Sequence, residues 1–219
     1  MTRRARAGRG RFLVLEGLDG AGTTTQARLL GDALKAAGRK VHVTAEPSGG
    51  PVGALIRQVL TRRVIAPGGA FDAEALALLF AADRLDHVAA EIAPKLADGV
   101  DVISDRFTLS SLAYQGLTTG DRPWVEAING RAAVPDLTLF LRVRPAVAVR
   151  RRHAASIDRE IYEVEAFQRK VARSYDRCIG QLREAGQRIV ELDGEAPVEA
   201  VTAAILAEVA KAAGAARAR

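Results

Sequence analysis

The sequence contains one cysteine, one methionine and one tryptophan, and aromatic residues make up only 5% of it. A single thiol, Cys178, cannot form a disulfide within the chain or a multi-cysteine metal site, which favours a reducing compartment. No apolar run approaches the length of a membrane-spanning helix, and neither end has the apolar segment of a signal peptide. We therefore expect a cytoplasmic protein that has no membrane partner.

The 219 residues are enough for one domain with a substantial core. Basic residues outnumber acidic ones by 32 to 26, and arginines are concentrated near the N-terminus. We predict basic tails at 1–10 and 214–219 and a single domain over 11–213. We expect such tails to be solvent-exposed chain ends. Because no aromatic residues are interleaved with the charges, nucleic acid is not expected as a partner.

A glycine-rich stretch begins directly after the apolar run 11–15, and apolar residues at helical spacing follow it at 26–34. This order of strand, turn and helix is the context of a phosphate-binding loop, in which glycines let backbone N–H groups approach phosphate oxygens. The loop pattern requires a lysine at the position of Thr23, so the stretch alone leaves the phosphate site undecided. The residues expected to bind ATP are Gly17, Leu18, Asp19, Gly20, Ala21, Gly22, Thr23, Thr24 and Thr25.

Further strands and helices alternate along the chain. Strands are predicted at 41–45, 100–104, 137–141 and 188–192, helices at about 52–63, 72–97, 110–117, 158–185 and 197–213, and a polar loop at 120–123. Five strands that alternate with helices predict an α/β protein, a three-layer α/β/α domain with a five-stranded parallel sheet.

Five segments outside the loop resemble bacterial thymidylate kinases, in the order and spacing of that family. They are Glu46-Pro47 followed by Gly49-Gly50, and the ranges 79–84, 105–107, 110–116 and 135–139. The resemblance extends from about Phe12 to the final helix. It implies the fold of a P-loop nucleoside monophosphate kinase, a homodimer, and transfer of the ATP γ-phosphoryl group to dTMP with Mg²⁺.

A metal site is expected where the third strand ends. In P-loop enzymes an aspartate at a strand end helps to hold Mg²⁺ together with a loop hydroxyl, and these positions are Asp105 and Thr24 here. The alternative is that Asp105 only caps the following helix.

The resemblance also assigns residues around the acceptor phosphate. Arg106 grips this phosphate and is expected to be catalytic, and Arg57 matches a second arginine, although a solvated helical arginine is nearly as plausible there. Asp19 matches an acid near the acceptor's sugar and phosphate, and is also expected to be catalytic. Glu46 matches an acid near the metal, and we count it with Ser110 among the dTMP-binding residues.

The base and sugar of the acceptor have their own set of matches. Phe80 and Arg84 lie four residues apart, so on a helix they share one face, and the family uses them on the thymine ring and its O4. Without the resemblance, Phe80 would be taken as a core residue. Ser111 matches the residue at the thymine N3 edge, Tyr114 the one that crowds the 2′ position, and Gln115 a neighbouring polar contact.

Three positions depart from the family pattern. Thr23 replaces the loop lysine, Ala45 replaces an arginine, and Arg142 stands where an acid is usual. The family's mobile lid falls at about 149–159, a segment rich in arginine, and we expect Arg150 or Arg152 to supply the missing positive charge as a catalytic group. The alternative is a solvated basic helix face.

Two other functions remain open at this point. One is a kinase of the same fold with a different nucleotide or nucleoside acceptor, and the other is a nucleotide-binding homologue with impaired catalysis. The chain keeps both the metal-binding residues and the base-reading residues, which favours an active dTMP kinase.

Overall fold

The computed structural model of the protein describes residues 8–69, 71–152 and 158–217. Five strands are present in this part of the chain: β1 (Phe12–Gly17), β2 (Val41–Ala45), β3 (Asp101–Asp105), β4 (Leu137–Arg142) and β5 (Ile189–Asp193). The α-helices are α1 (Thr23–Ala36), α2 (Pro51–Leu60), α3 (Ala73–His87), α4 (Ala93–Ala97), α5 (Thr108–Thr118), α6 (Arg122–Asn129), α7 (Pro145–Arg152), α8 (Asp158–Glu184) and α9 (Val198–Arg217).

All neighbouring strands run parallel, in the order β2-β3-β1-β4-β5. The predicted five-stranded parallel sheet with surrounding helices is thereby confirmed. β1 is the central strand, and it pairs with β3 on one side and with β4 on the other. Open parallel sheets bind ligands beyond the carboxyl ends of their strands, where the chain connections diverge. Because β1 is the central strand, the glycine-rich loop that follows it lies at the middle of this edge.

The two faces of the sheet are buried by different helices. Leu13 and Leu15 of β1 belong to a large apolar core that also contains residues of α1 and α9, whereas Phe12 and Val14 pack with Ile92 and other residues around α4. This alternation is that of a strand covered on both sides. All six residues of β1 are buried, so the loop that follows rests on a rigid support.

The helices differ from the sequence prediction in three places, one of which is α7, a helix absent from the predicted set. The range 72–97 is helical from Ala73, but a π-helical turn, Val88–Ile92, interrupts it. The helix α6 was not predicted, since its range was read as the end of a polar loop. It begins where the Asp121 side chain accepts a hydrogen bond from Trp124 N at 3.0 Å and a proline occupies the first turn.

The predicted lid at 149–159 lies partly outside the described residues, which break off between 152 and 158. Its first part is the C-terminal end of α7. Within the described part of the chain, the helices are all too short or too polar to cross a membrane.

Candidate active site

A cleft of about 930 Å³ opens at the carboxyl edge of the sheet. One wall is the loop 19–25, from which every residue reaches the cleft. The opposite wall consists of Glu46, Phe80, Arg84, Arg106, Phe107, Ser110, Ser111, Tyr114 and Gln115, and further lining residues include Gln26, Arg151, Gly194, Ala196, Val198 and Val201. Two sets that were predicted separately, the phosphate loop and the acceptor residues, therefore face one another.

The loop has the backbone of a phosphate-binding turn. Gly20 and Gly22 have φ values of 90° and 93°, a region that glycine adopts without strain. A Cβ atom on Gly20 would lie 2.2 Å from the carbonyl oxygen of Ala148 in α7, so only glycine permits this close contact. Gly22 caps α1, whose free N–H groups point toward the cleft edge of the sheet. Gly17 and Leu18, also predicted to bind ATP, do not line the cleft.

Thr24 lines the cleft, and Asp105, which is buried and does not line it, lies directly beside Thr24. The Thr24 hydroxyl donates a short hydrogen bond to Oδ2 of Asp105. The other carboxylate oxygen, Oδ1, is buried and has no hydrogen-bond partner among the described residues. Carboxylate and hydroxyl oxygens are the ligands that Mg²⁺ prefers in phosphoryl-transfer sites, so this pair fits the predicted metal.

Arg106 is held by contacts from several elements. Its backbone has a φ of 72°, which is rare for a residue other than glycine. Its Nη2 donates to Asp19 Oδ1 at 2.7 Å, its Nη1 donates to Ser110 Oγ at 3.0 Å, and the guanidinium lies 5.5 Å from the ring centroid of Tyr114. Burial acts to lower the pKa of Arg106, but the surrounding tyrosines and carboxylates outweigh it and raise this pKa. The group is therefore a fixed cation at the edge of the cleft.

Glu16, which was not singled out in the sequence, organises the backbone around Arg106. It is fully buried and accepts hydrogen bonds from Phe107 N at 2.9 Å, Ser110 N at 3.1 Å and Ser110 Oγ at 2.6 Å. Burial raises the pKa of Glu16 to about 7, against the opposing effects of Arg106 and of these hydrogen bonds. A charged residue at the end of an apolar strand is the signal that could have identified it.

Arg84 is 1% exposed and lies at the cleft wall. Its Nε and Nη2 donate to Glu46 Oε2 at 2.9 and 2.7 Å, and Nη2 also donates to Ser111 Oγ at 3.0 Å. Its Nη1 donates a short hydrogen bond to Asn129, a residue of the unpredicted α6. Glu46 therefore acts here as the counter-ion of Arg84, and Asn129 is a supporting residue that sequence reasoning missed.

Tyr114 belongs to the acceptor side of the cleft and contacts the phosphate loop. Its hydroxyl accepts a hydrogen bond from Asp19 N at 3.3 Å, and burial is the main reason that its pKa is raised. Phe80 and Gln115 line the same side of the cleft, as expected for neighbours of a base and sugar. The structure therefore brings together all of the predicted acceptor residues except one.

The exception is Arg57. Its Nη1 donates to the carbonyl oxygen of Pro47 at 2.9 Å and also to that of Ser48, and it does not line the cleft. In this structure it stabilises the turn after β2 instead of reaching the acceptor side.

The lid arginines are placed differently from the prediction. Arg151 lines the cleft and donates to the carbonyl oxygen of Gly194 at 2.8 Å. Arg150 is exposed and does not line the cleft, and the side chain of Arg152 lies outside the described residues. The position of Arg151 could not be read from a run of three consecutive arginines.

The other departures from the family pattern lie away from the cleft. Arg142, at the end of β4, makes ion pairs with Asp176 and Glu191 and lies 5.1 Å from the ring centroid of Phe140. Ala45 is the last residue of β2 and pairs in register with Asp105. Neither side chain belongs to the cleft lining.

A parallel sheet with a glycine-rich loop after its central strand, a hydroxyl–carboxylate pair beside the loop and arginines on the opposite wall define a nucleotide-binding α/β protein of the phosphoryl-transfer class. Residues 15–205 match the family model described as Thymidylate kinase. The chain belongs to the thymidylate kinase family, whose members are nucleoside monophosphate kinases.

Individual relatives cover most of the chain. A "Probable thymidylate kinase" of Pyrococcus horikoshii is 41% identical over 76% of this chain and 82% of its own. A protein of the same description from Pyrobaculum aerophilum is 39% identical over 82% of this chain and 87% of its own. A relative from Treponema pallidum, which carries thymidylate kinase as a provisional name, is 37% identical over 89% of this chain and 92% of its own.

Proposed function

We propose that this protein transfers the γ-phosphoryl group of ATP to dTMP, giving dTDP and ADP. The observation that carries the proposal is the single cleft in which the phosphate loop faces the predicted base, sugar and phosphate residues of the acceptor. The residues proposed for the two substrates lie at one edge of the sheet, as a direct transfer between the substrates requires.

The acceptor side of the cleft supplies recognition. Phe80 offers a ring for stacking on a pyrimidine, and Arg84 is held by Glu46 and Asn129 before any ligand arrives. Of the five N–H groups of Arg84, four already have partners on the described residues, so a single N–H is available for a base carbonyl. Ser111 lies beside it, and Tyr114 narrows the sugar position.

The reaction needs no general base. The attacking oxygen belongs to a phosphate monoester whose second pKa is about 6, so it is already largely ionised at pH 7. Catalysis then consists of aligning two anions and neutralising the charge between them. Arg106 serves the acceptor phosphate, and Asp19 holds Arg106 at the loop side of the cleft.

Mg²⁺ would be held by Thr24 and Asp105, and it would neutralise charge on the β- and γ-phosphates. The buried Asp105 Oδ1, which lacks a partner among the described residues, supports this assignment. The loop backbone and the N-terminal end of α1 bind the phosphate oxygens beside it.

Thr23 occupies the loop position where the family pattern has lysine, so another positively charged group is needed to neutralise the transferred phosphate. The basic residues among the described cleft lining are Arg84, Arg106 and Arg151. Arg84 pairs with Glu46 and Arg106 with Asp19, whereas the cleft contact of Arg151 is a backbone carbonyl. We therefore add Arg151 to Arg150 and Arg152 as a candidate for the positively charged residue that binds the phosphates of ATP.

A homodimer is supported by an apolar surface on α2 and α3. Leu55 is 36% exposed, Leu78 is 50% exposed and Leu85 is 40% exposed, and α2 packs against α3. Exposed leucines on two packed helices offer apolar surface that a second copy of the chain could cover. Sedimentation at micromolar concentration would test it. A cytoplasmic location and a place in the bacterial branch of the family remain predictions.

The loss of the loop lysine favours one alternative, a homologue with impaired catalysis. A coupled ADP-release assay with ATP and Mg²⁺, run across dTMP, dUMP, dCMP and dGMP, separates the possibilities. We expect dTMP to give the highest kcat/KM. Preference for another nucleotide would indicate a different acceptor, and ATP binding without turnover on any of them would indicate the impaired homologue. Arg84→Ala should weaken dTMP binding by about 1.5–3 kcal/mol, the range for hydrogen bonds to charged groups.

A further inference from the structure

The hydroxyl of Tyr175 lies at a buried junction that the chemistry above does not use. It is within 2.9 Å of Ser110 Oγ, 3.2 Å of Glu16 Oε2, 3.2 Å of the Gly17 carbonyl oxygen and 3.3 Å of Arg106 Nη1. Tyr175 itself is completely buried and does not line the cleft. It comes from α8, which contributes no residue to the described cleft lining.

The hydroxyl of Tyr175 can donate one hydrogen bond and can accept another. A phenol has one hydrogen to donate, and three acceptors surround it, namely Ser110 Oγ, Glu16 Oε2 and Gly17 O. Its oxygen is available to accept from Arg106 Nη1. Burial raises the pKa of Tyr175 well above its usual value, so the hydroxyl keeps its hydrogen at neutral pH.

The two ends of Arg106 are fixed by different parts of the protein. Asp19 holds Nη2 on the side of the cleft, while Tyr175 and Ser110 hold Nη1 on the inner side. Ser110 is a neighbour of Arg106 in the chain and moves with it. Tyr175 instead connects Nη1 with the end of β1, where the Glu16 carboxylate and the Gly17 carbonyl oxygen, both 3.2 Å from the hydroxyl, directly precede the phosphate loop.

We propose that Tyr175 is a positioning residue that fixes the acceptor-phosphate arginine relative to the phosphate loop. Asp19 ties Nη2 to the loop itself at the side of the cleft, and the Tyr175 hydroxyl adds a buried second contact at Nη1, so that both ends of the guanidinium are held before the substrates bind. The inference rests on the proposed function, because it takes Arg106 as the group that binds the acceptor phosphate.

Tyr175→Phe removes the hydroxyl and keeps the ring, which packs against Phe140 at 4.9 Å and Tyr114 at 6.0 Å between centroids. Cys178→Ala is the matched control, because Cys178 is also buried on α8 and lies one turn further along. Binding of dTMP and of thymidine, which has no phosphate, is measured by calorimetry, together with KM for ATP and kcat.

Tyr175→Phe should weaken dTMP binding about 10-fold or more, as expected for a lost hydrogen bond to a charged group. It should leave thymidine binding and KM for ATP within 2-fold of the wild type, and kcat should fall. Cys178→Ala should change none of these values by more than 2-fold. Equal losses for dTMP and thymidine would overturn the proposal, and so would unchanged dTMP binding or a variant that no longer folds.

The failure of the proposed function is recognisable separately. Wild-type protein that does not phosphorylate dTMP but accepts another nucleotide contradicts the substrate assignment alone. The comparison is then made with that nucleotide and its nucleoside, and the same difference is expected. Wild-type binding of nucleoside and nucleotide with equal affinity would overturn the role of Arg106 and with it the role of Tyr175.

Discussion

Replacement of Glu16 by glutamine should make the protein progressively more stable, relative to the wild type, as the pH rises from 5 to 8. The wild-type carboxyl is completely buried, and burial raises its pKa from 4.5 to about 7. Between these two pH values the native protein holds a proton at Glu16 that the unfolded chain has already released. The free energy of unfolding therefore falls as the pH rises through this window, and the lost stability stays lost above it.

The size of the effect follows from the shift. A difference of about 2.5 pKa units corresponds to about 3 kcal/mol, of which about 2.5 kcal/mol appears between pH 5 and pH 8. Glutamine does not titrate, and its amide keeps an acceptor for Phe107 N and Ser110 N. The stability of Glu16→Gln minus that of the wild type should therefore increase by about this amount over the same range.

Urea denaturation followed by circular dichroism, at half-unit steps from pH 5 to pH 8 and at one protein concentration, measures this difference. Asp32→Asn is the control, because Asp32 is exposed and its ion pair with Arg28 on α1 is a surface contact of small energy. A difference for Glu16→Gln that stays flat within about 0.5 kcal/mol across the range would refute the reasoning. The more stable variant should also be the slower enzyme, because Glu16 orders the backbone around Arg106.

Four other outcomes are expected. Burial alone would raise the pKa of Asp101, but hydrogen bonds from two arginines lower it to about 2. Asp101→Asn should therefore lower the free energy of unfolding by about 2 kcal/mol at pH 7 and by progressively less below pH 4, as measured from urea denaturation midpoints. Arg151→Ala should reduce kcat about 100-fold with little change in KM for ATP, and this loss should exceed that of Arg150→Ala. A larger loss of kcat for Arg150→Ala would indicate that Arg150 neutralises the transferred phosphate instead. Restoring the lysine by Thr23→Lys should partly rescue the Arg151 variant in the same assay. Tyr114→Ala should raise turnover of ribo-TMP relative to dTMP without changing KM for ATP, and an unaltered ratio would show that Tyr114 does not exclude the 2′-hydroxyl.

Much of the fold was predictable from local pattern. Short apolar runs that alternate with helical periodicity predict the five parallel strands, and the rule that ligands bind beyond the carboxyl ends of the strands predicts that Thr24 and Asp105 lie close together. The start of α6 also had its signal, a capping Asp121 followed by Pro123, but the helix is only eight residues long and was too short to stand out by periodicity.

The supporting residues were out of reach for a different reason. Tyr175 and Asn129 act through partners that are distant in the chain, and a polar atom in a sequence does not say what it will meet. Tyr175 looks like any core aromatic at helical spacing until its hydroxyl is placed. Arg57 is the reverse case, because a match to the family pattern predicts a ligand contact, while the side chain here bonds the adjacent turn, and the prediction remains untested.

The cleft residues are divided unevenly along the polypeptide. Those that face the acceptor, with the exception of Asp19, fall within the continuous stretch 46–115, while the remaining lining comes from the loop 19–26 and from positions beyond 150. In the sheet the same division places β2 and β3 on one side of β1 and β4 and β5 on the other. Under the proposed assignment, the residues that read the acceptor form one block of the gene, apart from Asp19, and this block also contains Asp105 of the proposed metal site. Recombination or successive mutation that changes the block but keeps Asp105 would give descendants with a new acceptor and the same phosphate loop.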